Sequence, residues 1–122
     1  MKRILLASCS LILLGACQPI EPEEPLEAEA TETEKSQVAQ WFTDCVKAAA
    51  ATLDDHVSDA MTIANVIVSG RCAPKASQLV NTYTRGSNWR VKAMVEDDLY
   101  NGGLQEMAAQ VVLVQRSRRL TP

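Results

Sequence analysis

Apolar residues recur at every third or fourth position between residues 38 and 114, and this spacing limits the fold more than any other feature. It is the period of an amphipathic α-helix. The chain shows neither the alternation typical of β-strands nor an internal repeat of 20–50 residues. Gly, Pro and capping residues divide the pattern into short segments. The sequence therefore predicts an all-α fold, a small bundle of three to five helices.

The first two predicted helices form an αα-hairpin. Thr31 and Glu34 have the spacing of a capping box at the start of the first helix. Its predicted apolar face, widened by Trp41 and Val46, consists of Val38, Phe42, Cys45, Ala49 and Leu53. Ser58 is predicted to cap the second helix. The apolar positions of that helix are Met61, Ala64, Ile67 and Val68.

The remaining helices follow a proline. Pro74 is predicted to start the third helix, which carries Ala76, Leu79, Val80 and Tyr83. Ser87 or Asn88 can cap a fourth, which carries Trp89, Val91, Met94, Val95 and Leu99. The pair Gly102-Gly103 is either a break or a weak point within one long helix. Beyond it the period continues through Leu104, Met107, Ala108, Val111 and Val114.

The amino terminus has the organisation of a secretory signal. Lys2 and Arg3 precede an apolar run of 11 residues, 4–14. As a helix this run would rise only about 16 Å, which is too short to cross a bilayer core. The next residues overlap its end, and Leu14-Gly15-Ala16-Cys17 resembles the lipobox of bacterial lipoproteins. The alternatives are a soluble secreted protein with a chance cysteine and an uncleaved anchor.

The resemblance to bacterial lipoproteins implies how and where the protein is held. Residues 1–16 are a signal peptide that is removed, and the Cys17 thiol receives a diacylglycerol. In many envelopes the new amino group is acylated as well, so we expect an anchor of palmitate-type chains. Gln18 occupies the position where Asp retains enteric lipoproteins in the inner membrane, which implies the outer membrane. We therefore expect the protein in the bacterial cell envelope, facing either the periplasm or the cell surface.

Cys45 and Cys72 remain after Cys9 leaves with the signal and Cys17 is lipidated. In an oxidising compartment an even pair favours a disulfide, which would clamp the hairpin near its open end. In the chain-entropy model this cross-link contributes about 3.5 kcal/mol. The alternative is a metal pair, but two cysteines lack the further ligands that zinc requires. We predict the disulfide, with no metal or cofactor.

Residues 17–34 are predicted to be the lipidated cysteine and an acidic tether. Residues 18–34 contain seven Glu, three Pro and no Lys or Arg. Charge repulsion and proline keep such a segment extended and solvated. Residues 35–122 form the predicted helical domain and carry 10 basic and 8 acidic side chains. The net charge of −3 therefore comes from the tether.

The sequence offers few candidates for catalysis. A length of 122 residues excludes a multi-domain enzyme. His56 is the only histidine and lies in a predicted turn, where a solvated imidazole needs no special role. Glu96-Asp97-Asp98 lies within a predicted helix, so its carboxylates point in different directions. The Arg116–Arg119 cluster could contact lipid headgroups or peptidoglycan carboxylates, or simply stabilise a helix end. We predict no catalytic residue and no nucleic-acid partner.

These observations predict a non-catalytic envelope module that binds another envelope protein or has a structural role, with homo-oligomers left open. One alternative is an inhibitor or immunity protein against an exported hydrolase or toxin. An alternative of another class is a cell-wall hydrolase. Trp, Tyr and Arg are enriched at binding hot spots, so the candidate partner surface consists of Tyr83, Arg85, Trp89, Arg90 and Tyr100. The competing hypothesis is that Tyr83 and Trp89 seal the core between the third and fourth helices.

Overall fold

The computed structural model describes residues 26–121, which form a bundle of α-helices. The helices are α1 (Glu32–Leu53), α2 (Ala60–Ser69), α3 (Ala73–Thr84), α4 (Trp89–Asp98) and α5 (Leu104–Leu120). A π-helical turn, Leu99–Gly103, joins α4 to α5. Residues 26–121 contain no strand, which confirms the predicted all-α fold, and none of their helices is both long and apolar enough to cross a bilayer. The predicted signal and lipobox lie outside the described residues.

The start of α1 is fixed by the predicted capping box. The Glu34 amide donates a hydrogen bond to Thr31 Oγ1 at 3.2 Å, and the Thr31 amide donates to Glu34 Oε2 at 2.8 Å. Two amides that would lack partners in the first turn are thereby satisfied. Ala30, just before the helix, is buried. The helical domain therefore begins earlier than residue 35, and residues 26–34, assigned above to the tether, lie against it or within it.

A turn of acidic residues connects α1 to α2. Asp59 caps α2 by accepting the Met61 amide at 2.8 Å. The prediction that Ser58 caps this helix was wrong. The Ser58 hydroxyl donates instead to Asp55 at 2.6 Å, and Asp55 also accepts the Ser58 amide at 2.8 Å. Ser58 is thus hydrogen-bonded to Asp55 within the turn, and the next residue, Asp59, caps the helix.

A disulfide joins Cys45 to Cys72, as predicted. Their Cα atoms lie 5.9 Å apart, within the usual range for such a bond. Cys45 lies near the middle of α1, and Cys72 is the N-cap residue of α3. The cross-link therefore closes the α1–α2 hairpin and fixes the start of α3 against α1. Cys72 is fully buried, so the bond is part of the core.

The core is made by α1, α2, α3 and α5. The largest fully buried side chains are Phe42, Ile67, Leu104, Val46, Val80 and Val112. Helix α3 packs mainly against α1, and α2 mainly against α5. The predicted face of α5 was partly wrong: Leu104, Ala108 and Val112 point inward, whereas Met107 and Val114 are exposed. The three buried residues are spaced four positions apart and form the row of α5 that faces the core. The neighbouring apolar row, which contains Met107 and Val114, faces solvent.

Helix α4 contributes no buried side chain. The predicted apolar face of Trp89, Val91, Met94, Val95 and Leu99 is therefore not a core face; Val95 and Leu99 are half-buried and the other three are exposed. The hypothesis that Trp89 and Tyr83 seal the core is wrong, since both are exposed. The pair Gly102-Gly103 lies in the π-helical turn, where the backbone of Gly102 is not helical. It therefore marks a kink between α4 and α5.

Candidate binding surface

The exposed side of α4 carries two large apolar side chains. Its side chains Trp89, Arg90, Ala93, Met94 and Asp97 are all exposed, and we call them the α4 surface. Trp89 is 73% exposed and Met94 is 72% exposed. Tryptophan and arginine are enriched at binding hot spots, and here Trp89 and Arg90 are exposed side chains in contact with each other.

The position of Trp89 follows from the cap of its helix. Asn88 Oδ1 accepts the amides of Arg90 and Val91, each at 3.1 Å, and so begins α4 immediately after an exposed loop. Trp89 is then the first helical residue, where its side chain has no preceding turn to pack on. The Arg90 guanidinium lies 5.2 Å from the centre of the indole ring, a cation–π contact. The indole ring of Trp89 and the guanidinium group of Arg90 are therefore in contact with each other and both exposed to solvent.

The predicted partner residues do not form one continuous surface. Tyr83 is exposed on α3. Tyr100 is partly exposed at the far end of α4, and its hydroxyl donates to Ser77 Oγ at 3.3 Å. Trp89 and Arg90 are adjacent at the opposite end. Of the five predicted residues, Trp89 and Arg90 are the two that lie in contact with each other. Tyr83 precedes them in the sequence and Tyr100 follows them.

Arg85 has a structural role. Its Nε donates to the Ala28 carbonyl at 3.1 Å, and its Nη2 lies 2.6 Å from Glu34 Oε2. This hydrogen bond to Arg85, together with those from Thr31, lowers the pKa of Glu34 from 4.5 to about 2. Arg85 thus fastens the entering chain to the start of α1 and the end of α3. An arginine needed for this purpose has little freedom to contact a partner.

Sequence reasoning missed Met94 and Asp97 as parts of the surface. Met94 was assigned to the buried face because it continues the apolar period from Val91. The available signal was the row Arg90, Met94, Asp97, which are spaced four and three apart and so lie on one side of a helix. Two oppositely charged residues on either side of a methionine indicate a solvent-facing row.

A second cluster of polar side chains lies at the other end of the bundle. His56 has a left-handed backbone, with φ of 58°, and its Nδ1 lies 3.0 Å from Asp54 Oδ2. Arg119 Nη1 lies 2.8 Å from His56 Nε2. Arg116 holds Asp54 with two hydrogen bonds, of 3.0 Å and 2.5 Å, and donates a third to the Ser58 carbonyl at 2.8 Å.

This cluster has the organisation of a clamp between the α1–α2 turn and α5. The hydrogen bonds from Arg116 lower the pKa of Asp54 far below its usual value, so this nearly buried carboxylate stays ionised. Both ring nitrogens of His56 already have partners, and the neighbouring Ser58 hydroxyl is directed to Asp55. Among residues 26–121, the side-chain partners of the His56 ring are Asp54 and Arg119, and neither is a hydroxyl or a thiol.

A shallow groove of about 330 Å³ runs between α1 and α5. Phe42, Val111 and Val114 contribute apolar walls, and Lys47 and Arg118 lie at its rim. Thr43, Gln110 and Gln115 also line the groove. Within residues 26–121, no group of three or more His, Cys, Asp or Glu side chains could hold a metal ion.

The three consecutive carboxylates of α4 are not a paired site. Glu96 lies 3.8 Å from Lys92, and Asp97 accepts a hydrogen bond from Asn101.

Comparison with known proteins gives no further guide, because no protein family, no curated protein and no solved structure matches this chain. Its function must be inferred from its own residues.

Proposed function

We propose that this protein is a lipid-anchored lipoprotein of the bacterial cell envelope whose non-catalytic helical domain binds a protein through the α4 surface. The observation that carries the binding proposal is α4 itself. Its ten residues include no buried side chain, yet they display Trp89 and Met94. The buried core is made by four other helices, so neither of these two side chains is needed to close it.

The lipid anchor is supported by the basic, apolar and lipobox segments in their required order. Because the domain begins near residue 26, only eight residues lie between Cys17 and Leu26. A chain of that length spans at most roughly 30 Å. The anchor would hold the bundle close to the bilayer, which favours a partner that is itself at the membrane. Leu26 and Lys92 line one surface pocket together with Arg85 and Gly86, so the tether meets the domain near the start of α4.

Fractionation of a Cys17→Ala variant tests the anchor. We expect this variant either to keep its signal unprocessed or to appear as a soluble exported protein, since acyl chains supply nearly all of the membrane affinity of the processed form. Cys9→Ala is the matched control, because Cys9 lies in the signal and should not affect the mature product. A Cys17→Ala protein that is still processed and tightly membrane-bound would refute the lipoprotein proposal.

Site-specific photocrosslinking tests the surface. A photoreactive amino acid is placed at position 89 or 94, and at position 66 as the control. Val66 is an exposed apolar residue of α2, away from α4. We expect protein adducts in intact cells from positions 89 and 94 and none from position 66. Equal labelling at all three positions, or none at any, would show that α4 is not a binding surface.

A further inference from the structure

The outward row of α4 has a defined order of charges. Arg90, Met94 and Asp97 follow one another along the exposed side of the helix. The half-buried residues Val95 and Glu96 lie on the opposite side. The row is therefore positive at its amino end, apolar in the middle and negative at its carboxyl end. The midpoint between Arg90 and Asp97 falls at Ala93–Met94.

From this order we propose that the partner of the α4 surface is a second copy of this chain, bound through an antiparallel α4–α4 pair with a two-fold axis at Ala93–Met94. This inference rests on the protein-binding function proposed above and names the partner. Reversing such a row end to end places a positive charge opposite each negative one. A two-fold interface requires this self-complementarity, because each subunit presents the same surface to the other.

The geometry assigns a role to each residue of the row. Arg90 of each copy lies opposite the partner's Asp97, so the interface contains the same ion pair twice. The two Met94 side chains meet at the axis, where an adaptable thioether fills irregular space well. Ala93 beside them allows the two helices to approach closely. Trp89 then covers the outer end of each ion pair, near Asp98 of the partner subunit.

The contacts that these residues make within one chain leave the pairing free to form. Arg90 lies against the Trp89 ring, and Asp97 accepts from Asn101, yet both charged side chains remain exposed. The other ion pair on the helix, Lys92 with Glu96, lies on the far side from Met94. Arg90 and Asp97 therefore retain the capacity for a further partner.

A single pair of ten-residue helices buries less surface than most stable dimers, which bury about 1,200–2,000 Å². We therefore infer a dimer that is weak in free solution and stable on the membrane. Two anchored copies share one surface, and confinement converts their encounter into one at high effective concentration.

The test uses cysteine cross-linking of the full-length, processed protein in intact envelopes. With Met94→Cys, two copies carry thiols at the axis, and we expect a disulfide-linked dimer under mild oxidation. Lys92→Cys is the matched control on the same helix, since Lys92 faces away from the row and should give no dimer. Cross-linking at both positions to the same extent would show collision rather than a specific interface.

Charge reversal makes the test decisive. In the Met94→Cys background, Arg90→Glu and Asp97→Arg should each reduce the cross-linked fraction roughly tenfold, because each places like charges opposite each other twice. Combining both changes in one chain restores opposite charges across the interface and should restore cross-linking. Mixing the two single variants, distinguished by different tags, should likewise give a heterodimer.

The outcomes separate this inference from the proposed function. A Met94→Cys adduct to another protein, with no homodimer, would overturn self-association while leaving the binding function intact. Single variants that cross-link as well as the parent protein would also overturn the inference. A protein found in the soluble fraction would refute the anchor, and cross-linking at high protein concentration would then still decide the pairing.

Discussion

Glu34 takes part in two structural features at once. Its carboxylate completes the capping box of α1 and pairs with Arg85 at the end of α3. Because Arg85 also binds the Ala28 carbonyl, one carboxylate coordinates the chain entry, the first helix and the third. Both of its roles require the ionised form.

We predict that acid loosens the chain entry before it unfolds the bundle. The pKa of Glu34 is about 2 in the folded protein, against 4.5 when unperturbed. A group whose pKa is depressed by folding stabilises the fold above its unfolded pKa, and this contribution is lost as pH falls toward the folded value. The protection of the amides of residues 28–35, measured against the intrinsic exchange rate at each pH, should therefore fall between pH 4.5 and 2. Glu34→Gln should show low protection already at pH 7, with little further change in acid.

Gly86→Ala should release the same segment by steric means. Gly86 has φ of +77°, and a Cβ there would lie 2.6 Å from the Glu27 carbonyl oxygen. The left-handed backbone alone costs about 1–2 kcal/mol for a residue with a side chain. Urea unfolding should show at least this loss, and proteolysis should become faster near residue 27. Ser87→Ala, one residue later, is the control and should change the free energy of unfolding by less than about 0.5 kcal/mol.

At the scale of the helix, the local signals in the sequence predict the elements well. The capping box at Thr31 was predicted, and the cap at Asn88 was one of two predicted candidates, because each depends only on residues a few positions apart. The wrong cap at Ser58 has a different origin. Two adjacent residues could begin α2, and the choice depends on Asp55, whose reach across the turn the helical period does not encode.

The disulfide links two of these elements, and reducing it should lower stability without removing the helices. In the chain-entropy model, breaking the Cys45–Cys72 bond raises the conformational entropy of the unfolded chain. This lowers the free energy of unfolding by about 3.5 kcal/mol. We expect a large fall in melting temperature, with far-ultraviolet circular dichroism near the native value at low temperature. Mass spectrometry of non-reduced peptides checks the bond itself. Free thiols at both positions in the mature protein would contradict the cross-link.

In the whole molecule, burial separates the residues that hold the fold from those that face outward. Phe42 is among the largest fully buried side chains, whereas Trp89 is largely exposed. Both are aromatic residues on helical faces, so type and period alone do not distinguish them. The difference arises because α4 packs on one side only, against α3 and the π-helical turn, rather than between two neighbours.

Two alanine variants should reveal this division. Phe42→Ala removes a buried ring and should cost about 3–5 kcal/mol, a large part of the stability of a small domain. Trp89→Ala should change the free energy of unfolding by no more than about 0.5 kcal/mol. Denaturant titrations of the two proteins give both values. If Trp89→Ala proved as damaging as Phe42→Ala, the tryptophan would be part of the core and not of a binding surface.

The sequence predicts the class of fold, the disulfide and most helix ends, because periodicity, export and capping are local or compositional properties. It does not predict which apolar row of α5 faces inward, or that Arg85 is occupied by Ala28 and Glu34. Those outcomes depend on contacts between residues more than 50 positions apart. The candidate surface was accordingly predicted in part: Trp89 and Arg90 belong together, and Met94 and Asp97 had to be found in three dimensions.

If the chain is anchored as proposed above, the contacts of Arg85 have a mechanical consequence. Tension on the tether would enter the bundle at residues 26–31 and divide between the start of α1 and Arg85 at the end of α3. Along α3 the load runs through the backbone to Cys72 and crosses a covalent bond to Cys45 in the middle of α1. Helices α1 and α3 would thus share the applied force. The Arg85–Glu34 ion pair joins them at one end, and the Cys45–Cys72 disulfide joins them at the other.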